Sequence, residues 1–237
     1  MEKSTSLVTV LCSTYNSRKW IEGYLDALNA QLLSTFDVIF VDAASTDYSL
    51  GIIKDYEFRE GITKKVIECD TRVEIYDAWN IAIKEANTPY VINVNTDDRL
   101  YPAGLSTYLL YAKDKPGIDV FYGTCNVVAD EKHKTISGLY FWPEFSHAVL
   151  LEACICGPFP LLKRQSIVEA GLFNPKYHIS GDYEMWLRMS KKGYKFFKVS
   201  ETVGSYYYNP EGVSTDNDKK KREEHIKHDT ELRRIYK

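Results

Sequence analysis

No apolar run in this 237-residue chain approaches the roughly 20 residues that a membrane-spanning helix needs. The first apolar stretch, residues 7–12, is also too short for the core of a secretory signal, so the expected location is the cytoplasm. Cysteine is sparse. Five residues, at 12, 69, 125, 154 and 156, form an odd set without the paired spacing of a zinc site. Cys12 and Cys69 end apolar runs and read as buried free thiols in a reducing compartment. Glycine-rich phosphate loops are missing as well. No G-x-G-x-x-G follows the first apolar segment, which speaks against a dinucleotide enzyme, and without a G-x-x-x-x-G-K-[ST] a P-loop is excluded. Repeats and low-complexity linkers are absent too.

Positive charge is in slight deficit, 30 basic against 33 acidic residues, for a net charge of −3. Residues 219–237 hold eight basic and four acidic side chains, so residues 1–218 stand at −7. An acidic body argues against nucleic acid as a partner and suits a site that gathers divalent cations. The lysine-rich tail reads as a solvated helix. It also admits peripheral contact with the inner face of an anionic membrane. Aromatics are plentiful at 14%, with 18 Tyr and 4 Trp, and concentrate between residues 140 and 208. They fill cores, and Tyr and Trp also line sugar-binding clefts.

Through the first hundred residues, strand and helix patterns alternate. Residues 7–12, 37–41, 65–69 and 90–94 read as strands. Residues 18–33, a segment opened by Ser45, Thr46 and Asp47, and residues 75–86 read as helices. Repeated β-α-β units imply a mainly parallel, Rossmann-like sheet flanked by helices in a single α/β domain. Beyond Pro102 the pattern gives a helix over 103–113 and strands over 120–128 and 135–141, around a polar turn at 130–133. A partly irregular aromatic region follows over 141–160. Helices over 166–170 and 182–192, a strand over 194–199 and a charged helix over 219–236 complete the reading.

Three polar clusters follow strands of the first half: Ser13 to Asn16, Asp42 to Asp47, and Asn95 to Asp98. In a parallel sheet their carboxyl ends share one edge, where ligands bind. Asp97 and Asp98, side by side, call for a cation or several donors nearby, and oxygen ligands of this kind suit Mg²⁺ or Mn²⁺. Capping of the next helix explains the same pair. Asp42, at a strand end, can accept from a base N–H or a ribose hydroxyl, or cap a helix. In the second half Asp182 opens an amphipathic helix whose Met185, Trp186 and Met189 face inward. An acidic cap and a base at a cleft edge are both open readings there.

Together these segments resemble the family 2 glycosyltransferases with the GT-A fold. Ser13-Thr-Tyr-Asn16 looks like the opening P-x-Y-N turn, and Val41-Asp-Ala-Ala-Ser-Thr-Asp47 like V-D-D-G-S-T-D. Ile75-Tyr-Asp-Ala-Trp-Asn80 resembles a donor-side segment, and Asn95-Thr-Asp97 occupies the D-x-D position. Gly171-Leu-Phe173, then Gly181-Asp182 and Trp186-Leu-Arg188, resemble G-x-F, the E-D of the base and the helix after it.

The resemblance implies an inverting, metal-dependent transferase that moves a sugar from a UDP-, GDP- or dTDP-sugar to a glycan or lipid-linked hydroxyl in surface polysaccharide assembly. It implies a donor half over residues 1–100 and an acceptor and base half over 101–218. Donor-binding roles fall to Thr14, Tyr15, Asn16, Asp42, Arg72, Asn80, Asn95, Thr96 and Asp97. Asp97, aided by Asp98, holds Mn²⁺ or Mg²⁺, and Asp182 is the base. Trp142, Glu144 and His147 are the expected acceptor wall.

Four departures stand out: Ala43 and Ala44 in the second motif, Asn95 for an aspartate, Gly181 for a glutamate, and Asn209 where many members have a histidine. Asn95, Gly181 and Asn209 keep a second reading in play, a non-catalytic nucleotide-sugar-binding module. A sugar-phosphate nucleotidyltransferase would need a G-x-G-T-x-L loop, which is not present after the first strand.

Overall fold

The computed structural model describes residues 6–210, 212 and 219–237. The first half runs β1 (Val8–Thr14), α1 (Ile21–Asn29), β2 (Phe36–Asp42), α2 (Ser49–Asp55), β3 (Ile62–Glu68), α3 (Ile75–Glu85) and β4 (Tyr90–Asn93). These four strands are parallel in the order β3-β2-β1-β4, as β-α-β alternation demands. Thr14 pairs with Asp42 in this register, so the polar clusters after β1 and β2 leave the sheet together.

The second half supplies β5 (Arg99–Leu100), α4 (Gly104–Asp114), β6 (Val120–Val128), β7 (Ile136–Tyr140), α5 (His147–Glu152), β8 (Leu161–Lys163), α6 (Arg164–Ala170), α7 (Gly181–Lys191), β9 (Phe196–Tyr207) and α8 (Lys219–Tyr236). The sheet continues β4-β8-β6-β9-β5, with β7 paired to β6 outside that path. Here antiparallel pairs dominate, and β6 with β9 is the parallel exception. One core packs α3, α6 and α7 on one face of the sheet, with Met185, Trp186 and Met189 buried as their spacing requires. The other face buries Tyr24 and Leu25 of α1 and Tyr108 of α4.

The structure adds β5, α5 and β8 to the sequence reading and moves the bounds of several elements, two of them with a clear physical cause. The first helix ends at Asn29 rather than at 33. Gln31 turns inward, donating to Tyr101 O at 3.0 Å and accepting from Leu105 N at 3.3 Å, while Leu32 is left 71% exposed. The last strand does not stop at 199. It continues to Tyr207 because its polar outer half is sandwiched between β6 and β5, and it carries the chain to Asn209 beside Asp97.

The tail also departs from expectation. The solvated-helix reading of 219–237 fails along the inner side of α8, where Leu232 is fully buried. Tyr236 Oη donates to Glu184 at 2.7 Å and Ser180 Oγ donates to Asp229 at 2.8 Å, tying α8 to the start and middle of α7. Among the described residues no helix is long and apolar enough to cross a membrane.

Candidate active site

At the carboxyl end of β4 the chain turns sharply, with Asp98 N donating to Asn95 O at 3.1 Å. The two carboxylates of this turn point to different places. Asp97 accepts from Asn209 Nδ2 at 3.1 Å, and burial pushes its carboxyl above the ordinary range. Asp98 turns into the protein, where its Oδ1 accepts from Tyr207 N at 3.1 Å and its Oδ2 has no partner among the described residues. Burial, then the neighbouring Asp97, raise its pKa strongly. The expected metal role of Asp98 is therefore corrected. It anchors the end of β9, and Asp97 alone faces the edge. Thr96 is likewise turned in, donating to Ser17 Oγ at 3.1 Å, which removes it from the donor contacts.

The other two clusters interlock beside this turn. Asn16, in the left-handed region at φ 49°, accepts on its Oδ1 from Thr46 N at 2.8 Å and donates its own N–H to Ser45 Oγ at 3.0 Å. Asp42 is 1% exposed and accepts from Thr14 Oγ1 at 3.1 Å and Ser45 N at 2.9 Å. It works as the organiser of both loops. Tyr15 remains open to solvent, and the Arg72 guanidinium lies 4.4 Å from the centre of its ring. A planar, cationic surface at a sheet edge suits a nucleoside.

Asp182 lies at the start of α7, half-buried. Tyr76 Oη donates to its Oδ1 at 3.1 Å and Tyr183 N to the same oxygen at 2.8 Å. Oδ1 takes both of these bonds. Its pKa is raised, with burial outweighing those two donors and His225, so the helix terminus does not hold it at an ordinary value. Gly181 is explained by the same tyrosine. A Cβ there would come within 2.6 Å of the Tyr76 ring, so a glutamate at 181 would require the ring to shift. Glu184, two residues on, is not an alternative base, since it is buried and paired with Arg188 at 2.8 Å.

Several expected site residues serve the scaffold instead. Asn80 donates to Phe173 O at 2.8 Å and accepts from Phe173 N at 2.9 Å, clamping the 171–173 turn rather than a donor. His147 donates its Nε2–H to Tyr236 O at 2.9 Å and bonds Ser190 Oγ at 2.8 Å, near the end of α7 opposite Asp182. It leaves the acceptor wall. Trp142 is half-buried against Tyr140 at 5.2 Å, and its buried indole Nε1 has no partner among the described residues. Glu144 is exposed.

Two contributors were passed over by the sequence reading, Tyr76 and His133. His133 sits at φ 55° in the β6–β7 turn and bonds the Asp97 backbone. The turn residues around it were visible, but its reach was not.

The residues fit a hard divalent cation. Asp97 offers carboxylate oxygen and Asn209 an amide beside it, a donor set of the kind such ions take with phosphate. No cluster of three His, Cys, Asp or Glu exists among the described residues. A cation that completes its shell with waters and diphosphate oxygens does not need one.

Residues 9–168 match the sequence model of glycosyl transferase family 2, and the chain belongs to this family. It is 25% identical over 191 residues to the chondroitin synthase of Escherichia coli, covering 81% of this chain and 27% of that protein. It is 26% identical over 210 residues to the amylovoran biosynthesis glycosyltransferase AmsB of Erwinia amylovora, covering 84% of this chain and 69% of that one. The fold superimposes on residues 1–349 of TarS from S. aureus in complex with UDP with a TM-score of 0.75 at 19% identity, over 97% of this chain and 64% of that one. The mannosyltransferase PcManGT of Pyrobaculum calidifontis, in complex with GDP-Man and Mn²⁺, superimposes with a TM-score of 0.68 at 20% identity, over 89% and 59%. The architecture is thus that of GT-A glycosyltransferases, although the chain spans only about a quarter of the length of the chondroitin synthase.

Proposed function

We propose that this chain transfers a sugar from a nucleotide-diphosphate sugar to a hydroxyl acceptor with inversion at the anomeric carbon. The observation that carries the reading is Asp182, a half-buried carboxylate at the start of α7 that takes both the Tyr76 Oη and the Tyr183 N bonds on one oxygen, Oδ1. A raised pKa brings such a group closer to neutral pH, which suits a proton acceptor. Asp182 Oδ2 takes the proton of the acceptor hydroxyl as that oxygen bonds to the anomeric carbon. The bond from that carbon to the diphosphate oxygen breaks on the opposite face, and one displacement gives inversion.

The donor lies along the edge of β2, β1 and β4. Tyr15 and Arg72 flank the nucleoside, Asn16 and Asp42 shape the loops beneath it, and Asn95 offers an amide to a ribose hydroxyl. Asp97, with Asn209 beside it, holds a divalent cation, Mn²⁺ or Mg²⁺, which when bound neutralises charge gathering on the departing diphosphate. UDP in TarS and GDP-Man with Mn²⁺ in PcManGT support this class of donor. The polysaccharide-assembling relatives favour a glycan or lipid-linked acceptor, which would approach past Trp142 and Glu144.

Gly181 no longer favours a non-catalytic binding module, because the Tyr76 ring accounts for it. The test is a screen of UDP-, GDP- and dTDP-sugars with Mn²⁺, scoring binding and nucleotide release. Binding of one donor with slow hydrolysis is expected, and no binding of any would overturn the reading.

A further inference from the structure

We propose that His133 is a positioning residue for the acidic turn, holding the backbone of Asp97 so that its carboxylate faces the donor diphosphate; this rests on the transferase reading above. The imidazole Nε2 lies 2.8 Å from Asp97 O, and a carbonyl only accepts, so Nε2 carries the proton. Nδ1 lies 2.6 Å from Ser205 Oγ, whose hydroxyl donates to it in the neutral ring. Both ring nitrogens are therefore satisfied by one tautomer.

The hairpin turn is built to deliver this ring. Asp130 accepts from the N–H groups of Lys132 at 3.0 Å, Lys134 at 3.3 Å and Thr135 at 2.6 Å, curling residues 130–135 around its carboxylate. His133 N donates to Asp130 O at 3.0 Å, and the curl places His133 in the left-handed region. Glu131 pairs with Lys19 at 2.6 Å, tying the turn to the segment that precedes α1. Meanwhile Arg99 Nη1 donates to the carbonyls of Thr96 at 2.7 Å and Asp98 at 2.6 Å. Three successive carbonyls of the acidic turn are thus held by side chains, and the middle one belongs to His133. A group that orients a metal-holding residue without touching the metal commonly changes its affinity 10–100-fold when removed.

The experiment titrates Mn²⁺ into the parent, His133→Phe, His133→Gln and Ser205→Ala in the presence of UDP, GDP or dTDP, with melting temperatures recorded. His133→Phe should need about tenfold more Mn²⁺ for half-maximal nucleotide binding. His133→Gln, which retains an N–H donor, should recover most of the loss. Unchanged Mn²⁺ demand in a folded Phe variant, or equal loss in Gln and Phe, overturns the proposal. Should the Phe variant fail to fold, Ser205→Ala decides: a severalfold rise in Mn²⁺ demand supports the clamp, and none overturns it. Hydrogen exchange at the Asp98 amide reads the same clamp without ligand, and should quicken in His133→Phe and Ser205→Ala but little in His133→Gln. A parent that binds no nucleotide, with exchange still quickened, would overturn the transferase reading and leave the clamp standing. Unquickened exchange would overturn the clamp itself.

Discussion

The carboxylates of Asp97 and Asp98 diverge from adjacent positions on one turn, the first meeting the Asn209 amide at 3.1 Å and the second the Tyr207 N–H at 3.1 Å inside the protein. One is therefore available to a ligand, and the other braces the strand that brings Asn209 alongside.

Substituting the two should separate binding from stability. Asp97→Ala is expected to abolish Mn²⁺-dependent nucleotide binding, measured by calorimetry, at little cost in melting temperature. Asp98→Asn keeps an acceptor for Tyr207 N–H while removing a buried charge. Because the folded pKa of Asp98 lies well above its unfolded value, the native state binds the extra proton. Stability is then greatest below the unfolded pKa and declines as pH rises through the folded one. Melting temperature against pH should show this decline in the parent and a flatter profile in Asp98→Asn. Identical profiles would refute the assignment.

Asp182→Asn should lower transfer by roughly 10²–10⁴-fold, the usual worth of a positioned base, with nucleotide affinity unchanged. The base acts when ionised, and burial raises its pKa, so kcat should rise with pH along a limb above the ordinary carboxylate range. That limb should vanish in the variant. Equal loss of nucleotide binding and turnover would make Asp182 structural instead.

Tyr76→Phe keeps the ring stacked on Phe173, 5.6 Å away, and removes the hydroxyl that donates to Asp182. A donor to the ionised form lowers its pKa, so losing it should shift the acid limb of kcat upward. Nucleotide affinity should stay within experimental error. An unshifted limb would show that the hydroxyl does not govern the base.

Leu232→Ala tests the docking of α8. Truncating a fully buried leucine should cost about 2–5 kcal/mol in urea unfolding. A change below about 0.5 kcal/mol, typical of an exposed site, would show that α8 does not pack on the core in solution.

The first four strands and their links were legible because hydrophobic period and turn residues agree there, and strand ends alone bring residues 13–16, 42–47 and 95–98 to one edge. The helix that Asp182 opens was also legible, and the structure has it at the start of α7. What escaped depends on contacts between distant segments. Leu32 keeps helical spacing yet lies outside α1 and is exposed, because Gln31 is drawn to the 100–105 loop. Asn80 and His147 carry groups suited to ligands, and only the fold shows them spent on Phe173, Ser190 and Tyr236. His133 sat in a turn that spacing marks as solvent-facing, while its partner lies 36 residues earlier.

The contact between Gly181 and the Tyr76 ring has an evolutionary consequence. A side chain at 181 is obstructed while Tyr76 stands, and overpacking of this kind commonly costs 1–3 kcal/mol. A single step to the glutamate of the resembled motif would pass through an overpacked, weakened intermediate. Shrinking the tyrosine first would instead remove the hydroxyl from the base. Positions 181 and 76 are therefore sterically coupled, and a relative with a side chain at 181 should carry a smaller or displaced residue at 76.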